Sequence, residues 1–403
     1  MTDAAHPLLP AATPLLRDGA AAVQVGGVDS GAGVLIGPDG TGLATLLRGL
    51  DGRRAQRAVL SDADRDGLDR ASVVRVLDGL RAAGLLLDVD AADLLVADAG
   101  PAAAARTAAE LPAALSALGR PVWRARRSAA VVVDGANRVG VPLAAVLAAS
   151  GVGRVSVRDP GLAAAGDAVV GGLTAADEGR PRALAAADAV RRASPLTDLR
   201  PVSDDAADLV VLARPWAASD PLAAAVHRAQ VPHLVATVRG EVGIIGPLVV
   251  PGVTSCLRCA DLHRRDADPR WPHLAAQLTA AEPPPSGATV TCLLTAATAA
   301  LQVLAYLDGT AAPATLGATV ELRPPDLRPH LRRWPAHPAC GCGAGYENTQ
   351  GDQAATLAGE PGATPPGVTG SRQGQWAADR AHQLTRDDTA TPFRARGPGE
   401  EDV

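Results

Sequence analysis

Lysine is missing from the whole 403-residue chain, so all 38 Lys/Arg positions are arginines. Neither a phosphate-loop lysine nor a Schiff-base lysine can exist, which closes several catalytic classes. Aromatic residues make up only 2%, and a core must therefore be built from Leu, Val and Ala. Positive charge is not in excess: the formal net charge is -5, which leaves no electrostatic footprint for nucleic acid. No apolar run reaches the ~18 residues that a membrane-spanning helix requires. The longest nearly apolar stretch, 292–307, is interrupted by Thr295, Thr298 and Gln302 and reads as a core helix. Residues Met1 to His6 lack the basic and apolar segments of an export signal. The expected compartment is the reducing cytoplasm, where disulfides are rare.

Five cysteines are present, and four form two close pairs far apart in the chain, Cys256-Leu-Arg-Cys259 and Cys340-Gly-Cys342. Two such pairs brought together present four thiolates to one Zn²⁺, which structural sites bind tetrahedrally at about 2.3 Å. The long separation makes the metal a staple between distant parts of one domain. Cys292 lies inside the apolar stretch, where a buried thiol behaves as a small hydrophobe. The charged run around Arg258, Arg264, Arg265 and Arg270 alternates with Asp261, Asp266 and Asp268 and reads as a solvated ion-pair network.

The organisation along the chain divides it into four parts. Residues 1–95 form a small unit. In it, 22–25 and 34–36 are strand-like, and Leu43, Leu46, Leu47 and Leu50 give a helical stripe. A second helical stripe covers 69–83, stopped by Gly84, and a closing strand follows over 85–89. Strands, helices and a closing strand outline a winged helix. A DNA reader would need a basic recognition face, but Arg70, Arg75 and Arg81 are balanced by Asp69 and Asp78. Residues 96–127 are a connecting segment, helical over 104–118 with a break at Pro112. From 128 strand and helix patterns alternate to about 310, which implies parallel βαβ units, and the domain closes at 344. Residues 345–403, rich in Gly, Pro, Thr and Gln, cannot bury enough surface to fold and are expected to be disordered.

The α/β part carries a fingerprint. An apolar strand over 129–133 runs into Asp134-Gly135-Ala136-Asn137-Arg138-Val139-Gly140, then a helix over 141–150. Asp159 follows at the tip of the next strand, placed for a ribose hydroxyl. Gly135 and Gly140 supply the turn of a Rossmann nucleotide site, but Asn137 stands at its middle glycine, where bare backbone normally meets phosphate. Arg138 can offset that crowding by pairing with phosphate. A nicotinamide enzyme using Asp159 is a further option.

The Gly-turn, the acid-ended second strand and the two late cysteine pairs resemble the ThiF/MoeB superfamily, which is similar to ubiquitin-activating enzymes. The resemblance covers roughly 127–343. Leu173, Asp177, Gly179 and Arg182 match the family's L-x-x-x-D-x-G-x-x-K segment, with Arg182 in place of its lysine. It implies a Rossmann-like domain with a Cys₄ zinc site (Cys256, Cys259, Cys340, Cys342) and adenylation of a C-terminal carboxylate with ATP and Mg²⁺. The departures fall on that chemistry. Residues 167–172 lack the Asn and Arg-Gln pair that grip the phosphates, and Ala213-Arg214-Pro215-Trp216 lacks the Mg²⁺-holding aspartate, with Asp220 several residues further on. A winged-helix unit ahead of such a domain resembles the leader-peptide-binding proteins of thiazole/oxazole-modified peptide pathways. Their PqqD-like module binds the leader as an added strand, and a YcaO-type partner carries the cyclodehydratase chemistry. The resemblance therefore implies a catalytically degenerate leader binder, with an active adenylyltransferase or sulfur-carrier activator as the alternative. ThiF-like domains commonly pair, so a homodimer is also implied.

Overall fold

The computed structural model describes residues 5–18, 22–28, 33–37, 40–89, 110, 120–214, 220–280, 287–325 and 328–344. The expected helix over 104–118, apart from residue 110, and the tail 345–403 lie outside the described residues.

The first unit is built on alternation. β2 (Leu15–Asp18), β3 (Ala22–Gly26) and β4 (Gly33–Ile36) form an antiparallel sheet in the order β2-β3-β4. In β3, Val23 and Val25 are buried while Gln24 between them turns outward. α1 (Gly40–Arg48), α2 (Gln56–Arg65) and α3 (Arg70–Ala82) cover the inner face. α3 places Val73, Leu77 and Leu80 on one face at i, i+4 and i+7. It starts where the Asp69 carboxylate accepts the Ser72 N–H at 2.8 Å. β1 (His6–Leu8) and β5 (Leu87–Val89) pair as a separate ribbon. α2 is absent from the sequence reading. Only Val59, Leu60 and Ala63 among its apolar residues are buried, too narrow a stripe to stand out among Arg57, Asp62, Asp64 and Arg65.

The second unit is a seven-stranded sheet in the order β12-β11-β10-β9-β8-β6-β7. β6 (Ala130–Asp134), β7 (Arg154–Arg158), β8 (Leu209–Leu212) and β9 (His233–Arg239) run parallel, as βαβ units require. Both faces of β6 are buried: Val131 and Val133 enter one core cluster, Ala130 and Val132 the other. The strands are covered on one face by α5 (Gly140–Ala149) and α10 (Thr289–Asp308), on the other by α7 (Pro221–Arg228) and α8 (Leu257–Ala267). α6 (Arg182–Ala193) packs on α5, and α9 (Trp271–Ala280) follows α8. α10 is long and apolar enough to cross a membrane by length and composition, but its apolar side packs on α5, β9 and β10. This fits the core-helix reading.

The parallel expectation needs one correction. β10 (Val242–Val249), within the 128–310 stretch, and β11 (Ala318–Leu322) and β12 (Pro329–Arg333), beyond it, extend the sheet as antiparallel strands. The polypeptide turns back through the short loop after β9, and a hairpin can only give an antiparallel neighbour. α4 (Arg120–Ser128) docks at the opposite end through Trp123, which is buried against Gly151. The same helix carries Arg126, whose guanidinium forks onto Asp308 at 2.9 and 2.5 Å with both side chains buried.

Candidate functional site

The turn after β6 lies at the carboxyl end of the parallel strands, where an open α/β sheet offers a crevice. Gly135 takes φ +117°, and a Cβ there would sit 2.9 Å from the Ala213 carbonyl oxygen, so only glycine fits. Gly140 starts α5 hard against the Gly135 carbonyl, with no room for a side chain. Asn137 closes the turn. Its Oδ1 accepts the N–H groups of Val139 and Gly140 at 3.0 and 2.9 Å, and its Nδ2 donates to the Ala213 carbonyl. Those N–H groups belong to the start of α5, where a bound phosphate would otherwise find donors. The carboxamide occupies them.

The charged residues of the crevice are engaged with one another. Asp159 accepts the Ala136 N–H at 2.9 Å through one oxygen and the Gly161 N–H at 2.8 Å through the other. Arg182 lies 3.7 Å from Asp159 and grips the buried Asp167 through Nε at 3.0 Å and Nη2 at 2.9 Å. Arg138 turns away from the helix start. Its Nη1 donates to the Gly287 carbonyl at 2.7 Å and its Nη2 to Thr289 Oγ1 at 2.8 Å, while its buried Nε has no partner. At the tip of β8, Arg214 pairs with Asp134 at 2.6 Å and lies 3.7 Å from Asp220. Asp220 in turn caps α7 by accepting the Leu222 N–H at 2.9 Å. Burial pushes the Asp134 carboxyl up despite Arg214 beside it. Among the described residues, Asp134, Asp159, Asp167 and Asp220 thus face Arg182 and Arg214, while Arg138 is held by Gly287 and Thr289 and Arg158 by Asp204. A triphosphate carrying about four negative charges finds no surplus of unengaged cations among them.

The four cysteines converge as their spacing predicts. Cys256 and Cys259 open α8, and Cys340 and Cys342 follow β12. All four Sγ atoms lie within 4.8 Å of one another. The sulfurs of Cys256 lie 3.8 Å from Cys259 and 3.6 Å from Cys340, and Cys259 lies 3.6 Å from Cys342. A tetrahedron with metal–sulfur bonds of about 2.3 Å has edges of about 3.8 Å, so the donor set can hold a metal ion. The Cys256 thiol donates to Cys259 and holds that thiol well below its ordinary range, and the same bond with burial pushes Cys256 up. The His337 N–H also donates to Cys259 at 3.4 Å. The His337 ring is fixed by Asp266 at 2.7 Å and meets His263 edge-on at 4.8 Å. Neither His263 nor His273 joins the sulfur cluster.

A model of the ThiF family matches residues 112–344, more than half of the chain. This protein belongs to the ThiF family. A sequence comparison with curated proteins returns no match. Among solved structures, Escherichia coli MccB with ATP matches at TM-score 0.51 and 16% identity, covering 83% of this chain and 99% of that one. MccB with MccA-N7isoASN gives TM-score 0.50 and 16% identity over 84% and 99%. The microcin C7 biosynthetic enzyme MccB in complex with N-formylated MccA gives the same score and identity over 84% and 99%. At that identity the likeness is one of fold, and its coverage is wider than the ThiF segment alone.

Gly135, Asn137 and Gly140 form one turn, Asp159 bonds to it through Ala136 and lies 3.7 Å from Arg182, and Arg138 leaves it for Gly287 and Thr289. The roles of two were not legible in sequence. Arg182 is neutralised by Asp167, and Arg138 points to the start of α10. Asp134 and Arg214, which the sequence places in the turn and after the later strand without giving either a role, pair with each other here. A usable signal existed for the first: Asp134 ends β6 as Asp159 follows β7, and an acid at a parallel strand tip belongs to the crevice.

Proposed function

We propose that this ThiF-family protein binds a peptide and presents it to a partner enzyme, its nucleotide crevice no longer gripping a triphosphate. The observation that carries the reading is the occupation of the phosphate donors. Asn137 takes the N–H groups at the start of α5, and Asp167 with Asp159 takes the charge of Arg182. Adenylation needs cations and donors aimed at the phosphates, and each lost donor costs about 10²–10³ in rate. Solved MccB structures hold MccA, which makes a peptide the favoured ligand class here.

The N-terminal unit, read as a PqqD-like winged helix, is the peptide module in this proposal. β4 is an edge strand of its sheet, and Leu35 on it is exposed. An extended leader adds to such an edge by main-chain pairing, with alternate side chains in pockets. By resemblance the partner is a YcaO-type cyclodehydratase. The metal is zinc in this reading, because four thiolates with no open position suit a structural site and leave no place for substrate.

ATP–pyrophosphate exchange separates the two functions. The full chain, incubated with ATP, Mg²⁺ and its precursor peptide, is expected to give no exchange above a protein-free blank, while calorimetry shows saturable peptide binding. Exchange that depends on the peptide would hand the assignment to an adenylyltransferase.

A further inference from the structure

One face of the antiparallel half carries arginines that the crevice and the cysteine cluster do not use. Strand pairing sets which residues share that face: Thr237 lies opposite Ile244, Ile244 opposite Glu321, and Thr319 opposite Arg332. By the two-residue period Arg239, Glu321, Thr319 and Arg332 all project to the side covered by α8. The other side, with Val238, Ile245 and Val320, is the α10 core. From α8, Arg264 lies over the rings of Trp334 and Trp271, at 4.4 and 5.1 Å from their centroids. Arg332 lies over Trp334 at 4.1 Å. The Trp334 ring is locked by its own N–H, which donates to Thr319 at 2.8 Å.

The acids on this face are already taken. Asp261 accepts from Arg264 at 3.3 Å and from the Trp271 N–H at 3.0 Å, and Glu321 pairs with Arg323. Among the described residues the side chains of Arg239 and Arg332 have no hydrogen bond and no ion pair within 4 Å; Asp261 and Glu321 act on Arg239 from further off, and Arg332 rests on the Trp334 ring. Arg264 feels both of them: burial, then the neighbouring guanidiniums, bring it down to about 10 despite Asp261. Among the described residues, the four guanidiniums of Arg239, Arg264, Arg323 and Arg332 thus face the two carboxylates of Asp261 and Glu321.

We infer that this stripe, from Arg239 past Arg264 and Trp334 to Arg332, is a docking site for an extended peptide bearing spaced acidic side chains. Geometry decides against a single phosphate. Arg239 is on β9 and Arg332 on β12, three strand spacings apart and, by the pairing register, four residues offset along the strands, which puts their backbones about 20 Å apart. An extended peptide covers that in about six residues. Each guanidinium offers a planar fork to one carboxylate, and the buried Trp334 indole holds Arg264 and Arg332 in place from beneath. A nucleic-acid strand is disfavoured by the chain's net charge of -5. The site lies on the ThiF domain. It stands whether or not the N-terminal unit binds a leader and whether or not ATP is turned over.

The test uses the full-length chain and a labelled, end-blocked peptide of alternating glutamate and glycine, with fluorescence anisotropy as the readout. Its glutamine counterpart, inorganic phosphate and an oligothymidylate serve as competitors. Saturable binding is expected for the glutamate peptide alone, weakened by added salt. Arg239→Gln and Arg332→Gln should each weaken it by about tenfold, with Arg239→Lys recovering part of the loss. Arg332 is exposed, so its variant folds even if that of Arg239 does not. Equal binding of the glutamine peptide, unchanged binding by the Arg332 variant, or tighter binding of phosphate or oligothymidylate would overturn the assignment.

Discussion

His233 is fully buried in β9, its Nδ1–H donating to the Val231 carbonyl at 2.9 Å while its Nε2 has no partner. Burial pushes this imidazole down from 6.5 to about 4, so the folded chain keeps it neutral where the unfolded chain would protonate it. Its contribution is present above the ordinary histidine value and declines as pH falls from 6.5 to 4. The most that can be lost is about 3 kcal/mol. Urea midpoints measured across that window should fall with pH in the parent and fall less in His233→Leu. Parallel slopes in the two proteins would remove His233 from the acid response. At the same scale, Asn137 was legible as a departure from glycine, but not as a cap on α5. That role depends on Ala213, far along the chain, being brought beside the turn. Arg182 was hidden for the same reason, since its charge is cancelled by Asp167, the last residue of one short 3₁₀ turn, only after the chain folds back through a second one at Ala175–Asp177.

Among the elements, β6 and α5 were readable because each is an apolar run bounded by glycine or acid, and burial on both faces leaves that pattern undiluted. β12 had no such mark. All five of its residues, Pro329 to Arg333, are exposed, so neither alternation nor an apolar run identifies it. β10 was obscured by Gly246-Pro247, where the pairing register shifts between Ile245 and Leu248. α4 was merged into a connecting segment, although Trp123 and Arg126 tie it to the α/β unit. The Arg126–Asp308 pair joins α4 to the last turn of α10. Removing one partner strands a buried charge, so Asp308→Ala should cost about 3–5 kcal/mol in urea unfolding. The double change Arg126→Met with Asp308→Leu should come back close to the parent. A single variant as stable as the parent would show that water reaches Arg126.

For the whole molecule, the cysteine pairs were the most legible feature, because ligand spacing is local even when the pairs are far apart. Purified protein should hold one metal ion per chain, zinc by plasma emission spectroscopy, and Cys256→Ser should lose it together with several degrees of thermal stability. A metal-free parent with unchanged melting would leave the thiols as ordinary core residues. The position of that cluster has a bearing on how the chain is completed. Cys256 and Cys340 are 84 residues apart, and α9, α10, β11 and β12 all lie between them. No ion can be captured by all four sulfurs until those pieces have been synthesised and laid on the sheet. With an ion held there, metal uptake would be a late checkpoint, and a cell short of the ion would accumulate chains whose strands are in place but whose ends are left unfastened.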